Sequence, residues 1–200
     1  MSVENIKIEK DGKEYWVSRS IVVTCPIFKI VNGSIYTLIE QRGHKVSCTG
    51  KWCVPCGYLD YGETLIDACV REVKEETNLY LNSKDFYFLR YDDEPKGMKQ
   101  NVHMFFYNVV PFDTNTDAVE IVDKGEVLSL TWIKIGTIKK SFLKKPKLTF
   151  EFKELNQYRW AFSHNKLIVE CMVDYCKRNR IKIKNEEDYK NTLYTPLRRN

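Results

Sequence analysis

Three glutamates, Glu72, Glu75 and Glu76, stand at i, i+3 and i+4, a spacing that gathers their carboxylates along one edge of a helix. Like charges that close repel, and Glu76 falls angularly between Leu65 and Cys69 on an apolar stripe, where desolvation adds to the cost. A cation offsets both penalties, and the hard oxygen donors select a hard divalent ion. An isolated E-x-x-E-E run is usually a solvated acidic face, relieved here by Arg71 and Lys74. The residues around it supply the second constraint.

Those residues describe the element that must carry the carboxylates. Thr64 followed three positions later by Asp67 is a capping-box pattern, so a helix is predicted over Thr64 to Thr77. Asn78 tolerates the left-handed conformation that terminates helices. Leu65, Ile66, Cys69, Val70 and Val73 form one apolar face, with Asp67, Arg71 and Lys74 opposite, so the helix packs on a sheet. Around it the chain reads as strands. Ile6 to Glu9 and Glu14 to Val17 flank an Asp11-Gly12 turn, and Ile21 to Ile30 and Ser34 to Glu40 flank Asn32-Gly33, which predicts two hairpins. Further strands are expected at Trp52 to Pro55, Asp85 to Tyr91, Val102 to Val110 and Val127 to Ile133. A second helix, Asn165 to Lys177, carries Leu167, Ile168, Cys171, Met172 and Tyr175 on one stripe. The expected architecture is α+β, a mixed sheet between helices, with an N-terminal hairpin over 1–19, a central domain over 20–180 that includes the C-terminal helix, and a basic tail over 181–200.

The segment Gly57 to Leu79 resembles the Nudix box, G-x5-E-x7-R-E-U-x-E-E-x-G-U with U aliphatic. Gly57, Glu63, Arg71, Glu72, Val73, Glu75, Glu76 and Leu79 agree with it, and Asn78 replaces the family's glycine. The resemblance implies a Nudix-type α/β/α sandwich, a divalent cofactor, Mg2+ with Mn2+ as a substitute, and hydrolysis of a nucleoside diphosphate linked to another group. It implies that Glu72 and Glu76 are the principal metal ligands, that Glu75 assists or joins a second metal, and that Glu63 and Arg71 brace the loop against the helix. Upstream, Gly50 to Gly57 is similar to the family's G-x-W-x-h-P-G-G strand, h being apolar, with Cys56 in place of the first glycine of the pair; its backbone carbonyl remains available to a metal. Arg42 stands where the family often places a phosphate-contacting arginine, and Gly57 and Tyr58 fall at the substrate side of the box. Past the box, Glu120 and Glu126 are both candidates for the family's extra glutamate, ligand or catalytic base, and Glu126 is favoured because it opens a strand. Trp160-Ala161-Phe162-Ser163-His164 resembles the A-F-D-H segment of a subgroup that includes ADP-ribose hydrolases and regulators of NAD metabolism. On that resemblance ADP-ribose or a nucleotide sugar is the expected substrate, with Tyr58, Tyr61 and Trp160 as aromatics able to stack a base.

Other readings are a catalytically silent Nudix module that binds a nucleotide and regulates, an RNA-decapping enzyme and a nucleoside triphosphate pyrophosphohydrolase. The intact carboxylate set favours an enzyme, since a pure binder has no need of three mutually repelling glutamates. An isoprenoid isomerase fits poorly, because its box departs from the hydrolytic pattern. The 200 residues carry a net charge of +5, which suits an anionic small molecule as well as nucleic acid. A small nucleotide is the expected partner, nucleic acid is disfavoured, and a homodimer is left open. The excess charge gathers at Lys139, Lys140, Lys144, Lys145 and Lys147 and at Lys177, Arg178, Arg180, Lys182 and Lys184, read as solvated faces or as phosphate steering. The longest run without Asp, Glu, Lys or Arg, Gln100 to Phe112, is well short of the roughly 20 apolar residues of a spanning helix. Met1 to Asn5 has no basic segment ahead of an apolar run, so the cytoplasm is the expected compartment. The seven cysteines are then read as reduced thiols: Cys53-x-x-Cys56 has no second C-x-x-C, and the alternative is a four-cysteine zinc site completed by Cys48 and Cys25.

Overall fold

A computed structural model describes residues 6–94, 101–111, 115–116, 119–140 and 144–184. Strands β1 (Ile6–Lys10) and β2 (Lys13–Val17) form a separate two-stranded hairpin. Asp11 and Gly12 lie at φ 54° and 71°, the left-handed pair that a tight two-residue hairpin turn requires. The main sheet is mixed. It contains β3 (Ile21–Thr24), β4 (Ile27–Val31), β5 (Ser34–Arg42), β6 (Trp52–Cys53), β7 (Cys56–Tyr58), β8 (Phe86–Asp92), β9 (Val102–Val109), β10 (Val127–Lys139), β11 (Lys147–Phe150) and β12 (Lys182–Ile183), in the order β12-β11-β10-β5-β4-β9-β3-β7, with β6 on β5 and β8 on β9.

Alternation along the strands decides the layers. Ile27 and Leu38 pack with Ala68, Cys69 and Val73 of helix α1 (Leu65–Thr77). Their neighbours Phe28 and Ile39 face the other way and pack with Leu167, Ile168, Cys171 and Met172 of helix α3 (His164–Arg178). The sheet is thus covered on both faces, which is the expected α/β/α sandwich; a single helical turn, α2 (Phe152–Leu155), lies against β10. No helix among the described residues is long and apolar enough to cross a membrane.

Three departures from the expected elements have local causes. The strand expected over Ile21 to Ile30 is two strands, because Pro26 interrupts it and Cys25 turns its N–H to the Pro55 carbonyl at 2.8 Å. Both halves pair with β9 in parallel, Ile21–Thr24 against Val102–Phe105 and Ile27–Phe28 against Asn108–Val109. β10 runs six residues beyond Ile133 to Lys139 and carries β11 on its edge. Lys182 and Ile183, assigned to the tail, add parallel to β11; residues 185–200 of that tail lie outside the described residues. Charged two- to four-residue strands have no periodicity to read.

Candidate active site

Helix α1 begins as its sequence requires. The Thr64 hydroxyl accepts from the Asp67 N–H at 3.2 Å and the Asp67 carboxylate accepts from the Thr64 N–H at 3.3 Å. At its other end Asn78 adopts φ 58° and donates to the Lys74 carbonyl at 2.9 Å. The left-handed geometry that a glycine usually supplies is therefore present, with asparagine as a tolerable occupant.

The three glutamates are not equivalent. Glu76 is buried and its Oε2 accepts from the Cys56 N–H at 3.0 Å. The Glu72 side chain is 13% exposed and lies so close to β7 that a Cβ on Gly57 would meet its Oε1 at 2.0 Å, so any other residue there would displace the Glu72 carboxylate. Glu75 is 57% exposed and held by Arg71 Nη1 at 3.1 Å. Two carboxylates thus turn inward onto Cys56 and Gly57 and one outward. Arg71 orders the whole turn. It donates to Glu63 at 2.6 and 3.1 Å, to Glu72 at 2.7 Å and to the Tyr58 carbonyl at 2.9 Å, while Glu63 also accepts from the Asp60 N–H at 2.7 Å. Arg71→Ala is expected to lower stability by about 1–3 kcal/mol, since several partly buried carboxylate contacts lose their donor. Urea denaturation checks this; an unchanged midpoint would mean that the loop is braced elsewhere.

A fourth carboxylate joins the group. Glu40 sits on β5 opposite Cys53, is 1% exposed, and leaves its Oε2 without a partner. Burial pushes its carboxyl up to about 7, although Cys53 and Arg42 pull the other way. Burial also raises Glu76, and the neighbouring Glu40, Cys56 and Glu72 raise it further; in Glu72 burial outweighs the Arg71 guanidinium. Arg42 and Arg71 do not offset the burial of these carboxylates, and an oxygen-liganded cation at Glu72 and Glu76 would add the missing charge. The available sequence signal for Glu40 was a lone carboxylate two residues after Leu38 in an apolar strand.

A cavity of about 410 Å3 opens beside this cluster. Arg42, Cys56, Gly57, Tyr58, Phe105, Phe162 and His164 are among the residues that line it. Arg42 is 8% exposed, donates from Nε to the Ser47 carbonyl at 2.6 Å, and has its guanidinium 5.0 Å from the Phe162 ring centroid.

A Nudix domain family model matches residues 21–156. The chain belongs to the Nudix family. "Putative nudix hydrolase 1" of Caenorhabditis elegans is 33% identical over 102 residues, covering 51% of this chain, and the matched part spans only 25% of that relative's length. Among solved structures, a MutT/nudix family protein from Enterococcus faecalis superposes with a TM-score of 0.62 at 16% identity, covering 82% of this chain and 64% of that one. The Nudix domain of Shewanella oneidensis NrtR, complexed with ADP-ribose, gives a TM-score of 0.58 at 16% identity over 80% and 90%. At these identities the structural matches establish the fold.

The remaining sites expected in this Nudix domain are distributed unevenly. Glu126 immediately precedes β10 and lies near enough to Glu72 to raise its carboxyl, because Gly43 packs its N–H on the Glu126 carbonyl at 2.6 Å, with no room for a Cβ beside Gly125. Glu120 is drawn instead to Asn78 Nδ2 at 2.8 Å, at the far end of α1. Trp160 does not line the cavity: its indole N–H donates to the Leu155 carbonyl at 2.7 Å and its ring packs edge-on to Tyr158. Phe162, two residues on, lies there in its place. Tyr61 is almost fully exposed and packs on Tyr15 of the hairpin. The basic groups Lys139, Lys140, Lys144, Lys145, Lys147 and Lys184 surround a second cavity of about 310 Å3 at the other end of β10.

Proposed function

We propose that this Nudix domain hydrolyses a nucleoside diphosphate linked to another moiety, with Mg2+ or Mn2+ as cofactor and ADP-ribose or a related nucleotide sugar as the best substrate. The observation that carries the reading is the pair of inward carboxylates, Glu72 and Glu76, packed against Cys56 and Gly57, two residues that line a cavity together with Arg42, Tyr58 and Phe162. Glu72 and Glu76 would hold the cation, with the Cys56 carbonyl and Glu75 as further oxygen donors. Bound there, it neutralises diphosphate charge and lowers the pKa of coordinated water.

The chain's own groups do the rest. Arg42 keeps Nη2 free of hydrogen bonds among the described residues, so it can donate a charge-assisted hydrogen bond to a phosphate oxygen. Tyr58 and Phe162, 52% and 55% exposed, offer ring faces to an adenine. Glu126, exposed beside Glu72, is placed to accept the proton of the attacking water. Attack at one phosphorus of ADP-ribose then releases AMP and ribose 5-phosphate.

The NrtR domain of the same fold was solved with ADP-ribose, and a bifunctional Francisella tularensis protein with ADP-ribose pyrophosphatase in its name was solved with AMP and a Mn ion; both support the substrate class by analogy. A panel of ADP-ribose, NAD, dinucleoside polyphosphates, nucleotide sugars, nucleoside triphosphates and capped RNA, each with Mg2+, tests it. ADP-ribose or a nucleotide sugar is expected to give the highest kcat/KM. A value at least ~10-fold higher for triphosphates or capped RNA, a difference of about 1.4 kcal/mol in transition-state binding, would reverse the substrate assignment and leave the hydrolase standing.

A further inference from the structure

The sequence offered Cys53-x-x-Cys56 only Cys48 and Cys25 as partners for a metal, but the fold brings another from over 100 residues away. Strand β6 pairs with β5, setting Cys53 opposite Glu40. The segment before α3 then docks on β6: the Trp52 N–H donates to the Arg159 carbonyl and the Ala161 N–H to the Trp52 carbonyl, both at 2.8 Å. Phe162 and Ser163 follow with φ 54° and 62°, and the chain enters α3 at His164. As a result the ligand atoms of Cys53, Cys56 and His164 all lie within 4.8 Å of one another. Around a common tetrahedral centre, with Zn–S about 2.3 Å and Zn–N about 2.0 Å, such donors are separated by comparable distances.

We propose that Cys53, Cys56 and His164 bind a zinc ion, with Glu40 as the fourth ligand. Glu40 is the natural completion. Its Oε1 accepts from the Cys53 thiol at 3.0 Å, so displacement of the thiol proton, and of any carboxyl proton, to solvent on metal binding frees the carboxylate to coordinate, and its Oε2 is buried without a partner. Arg42 takes part from outside. Its Nη1 donates towards Cys53 Sγ at 3.6 Å and Cys56 Sγ at 3.8 Å, the position of an outer hydrogen-bond donor to metal-bound thiolates. Two thiolates and a carboxylate carry three negative charges, which the divalent ion and the guanidinium neutralise together. Binding has one structural cost. His164 Nδ1 accepts from the Val54 N–H at 3.2 Å, and that bond must give way whichever ring nitrogen coordinates, since the other one keeps the proton. Cys56, His164 and Arg42 also line the large cavity, which provides a route of access.

The site is separate in chemistry from the carboxylates of α1. Sulfur and imidazole donors select zinc, whereas the oxygen set at Glu72 and Glu76 selects Mg2+ or Mn2+. Its place in the fold suggests its use: it would tie β5, the β6–β7 turn and the start of α3 together, directly behind the Cys56 N–H that holds Glu76. The proposal stands against the expectation of metal-free thiols drawn from the sequence.

The test is metal content, which is read independently of any hydrolase activity. Full-length protein purified without chelator should contain one zinc per chain. After removal of zinc and titration with Co2+, the wild type should show a sulfur-to-cobalt charge-transfer band and the visible absorption of a tetrahedral ion. Cys53→Ser and His164→Gln should each lose stoichiometric zinc and weaken or abolish the cobalt spectrum, with far-UV circular dichroism reporting the fold. Cys171→Ser, two turns further along α3 and outside the cluster, should keep both. Absence of zinc together with absence of the cobalt band in folded wild type overturns the proposal, as does zinc that persists in both variants or a Cys53–Cys56 disulfide in the protein as purified.

Discussion

Glu76→Gln is expected to reduce turnover by about 10²-fold or more, equivalent to at least about 2.7 kcal/mol of transition-state stabilisation, with the fold preserved. The substitution keeps the side-chain volume and an oxygen that can still accept from the Cys56 N–H, so the β7–α1 contact survives. What it removes is the negative charge, in a buried position where that charge has no cation among the described side chains near enough to hold it at its ordinary range. Glu75→Gln is the internal comparison. Glu75 is exposed and already bonded to Arg71, so the same loss of charge should cost less activity. Steady-state kinetics at saturating Mg2+, with circular dichroism as the fold control, decides. Undiminished activity of Glu76→Gln, or wild-type activity that persists in excess chelator, would remove Glu76 from the metal site.

In cation-free protein, Glu40→Gln is expected to change the pH dependence of stability by about 3 kcal/mol. The Glu40 carboxyl lies at about 7 in the folded chain against an ordinary 4.5, and at about 1.4 kcal/mol per pH unit that interval amounts to about 3 kcal/mol. The sign follows from which state holds the proton. Between 4.5 and 7 the folded chain keeps it and the unfolded chain has released it, so stability is fully present below 4.5 and is lost as the pH rises through 7. Glutamine carries no proton to lose. The stability of Glu40→Gln relative to wild type should therefore increase from pH 4.5 to above pH 7, measured by urea denaturation in chelator, and the gain should shrink when Zn2+ is restored. A difference between the two proteins that stays constant with pH would show that Glu40 is not held protonated.

The helix that bears the carboxylates was legible because its information is local. The Thr64–Asp67 cap, the stripe through Cys69 and Val73 and the stop at Asn78 all operate within one or two turns, and the structure realises each of them. The Arg71 brace was implied by the resemblance of Glu63 and Arg71 to the family's structural pair, and it too closes within eight residues. The mixed sheet between helices followed from the order of hairpins and helices, and the α/β/α sandwich was implied by the family resemblance; neither specifies which strands become neighbours. Neighbours were the part that sequence withheld. Glu40 is an ordinary charged residue near the end of a strand until β6 pairs with β5 and seals it from water. Trp160 and Phe162 differ by two positions and similar apolarity, yet the turn into α3 sends one indole to the Leu155 carbonyl and sets the other ring against Arg42. The division has one physical reason: capping and amphipathic burial are decided within a few residues of chain, whereas burial of a carboxylate, the fate of an aromatic ring and the meeting of Cys53, Cys56 and His164 depend on contacts between segments whose encounter only the packed sheet determines.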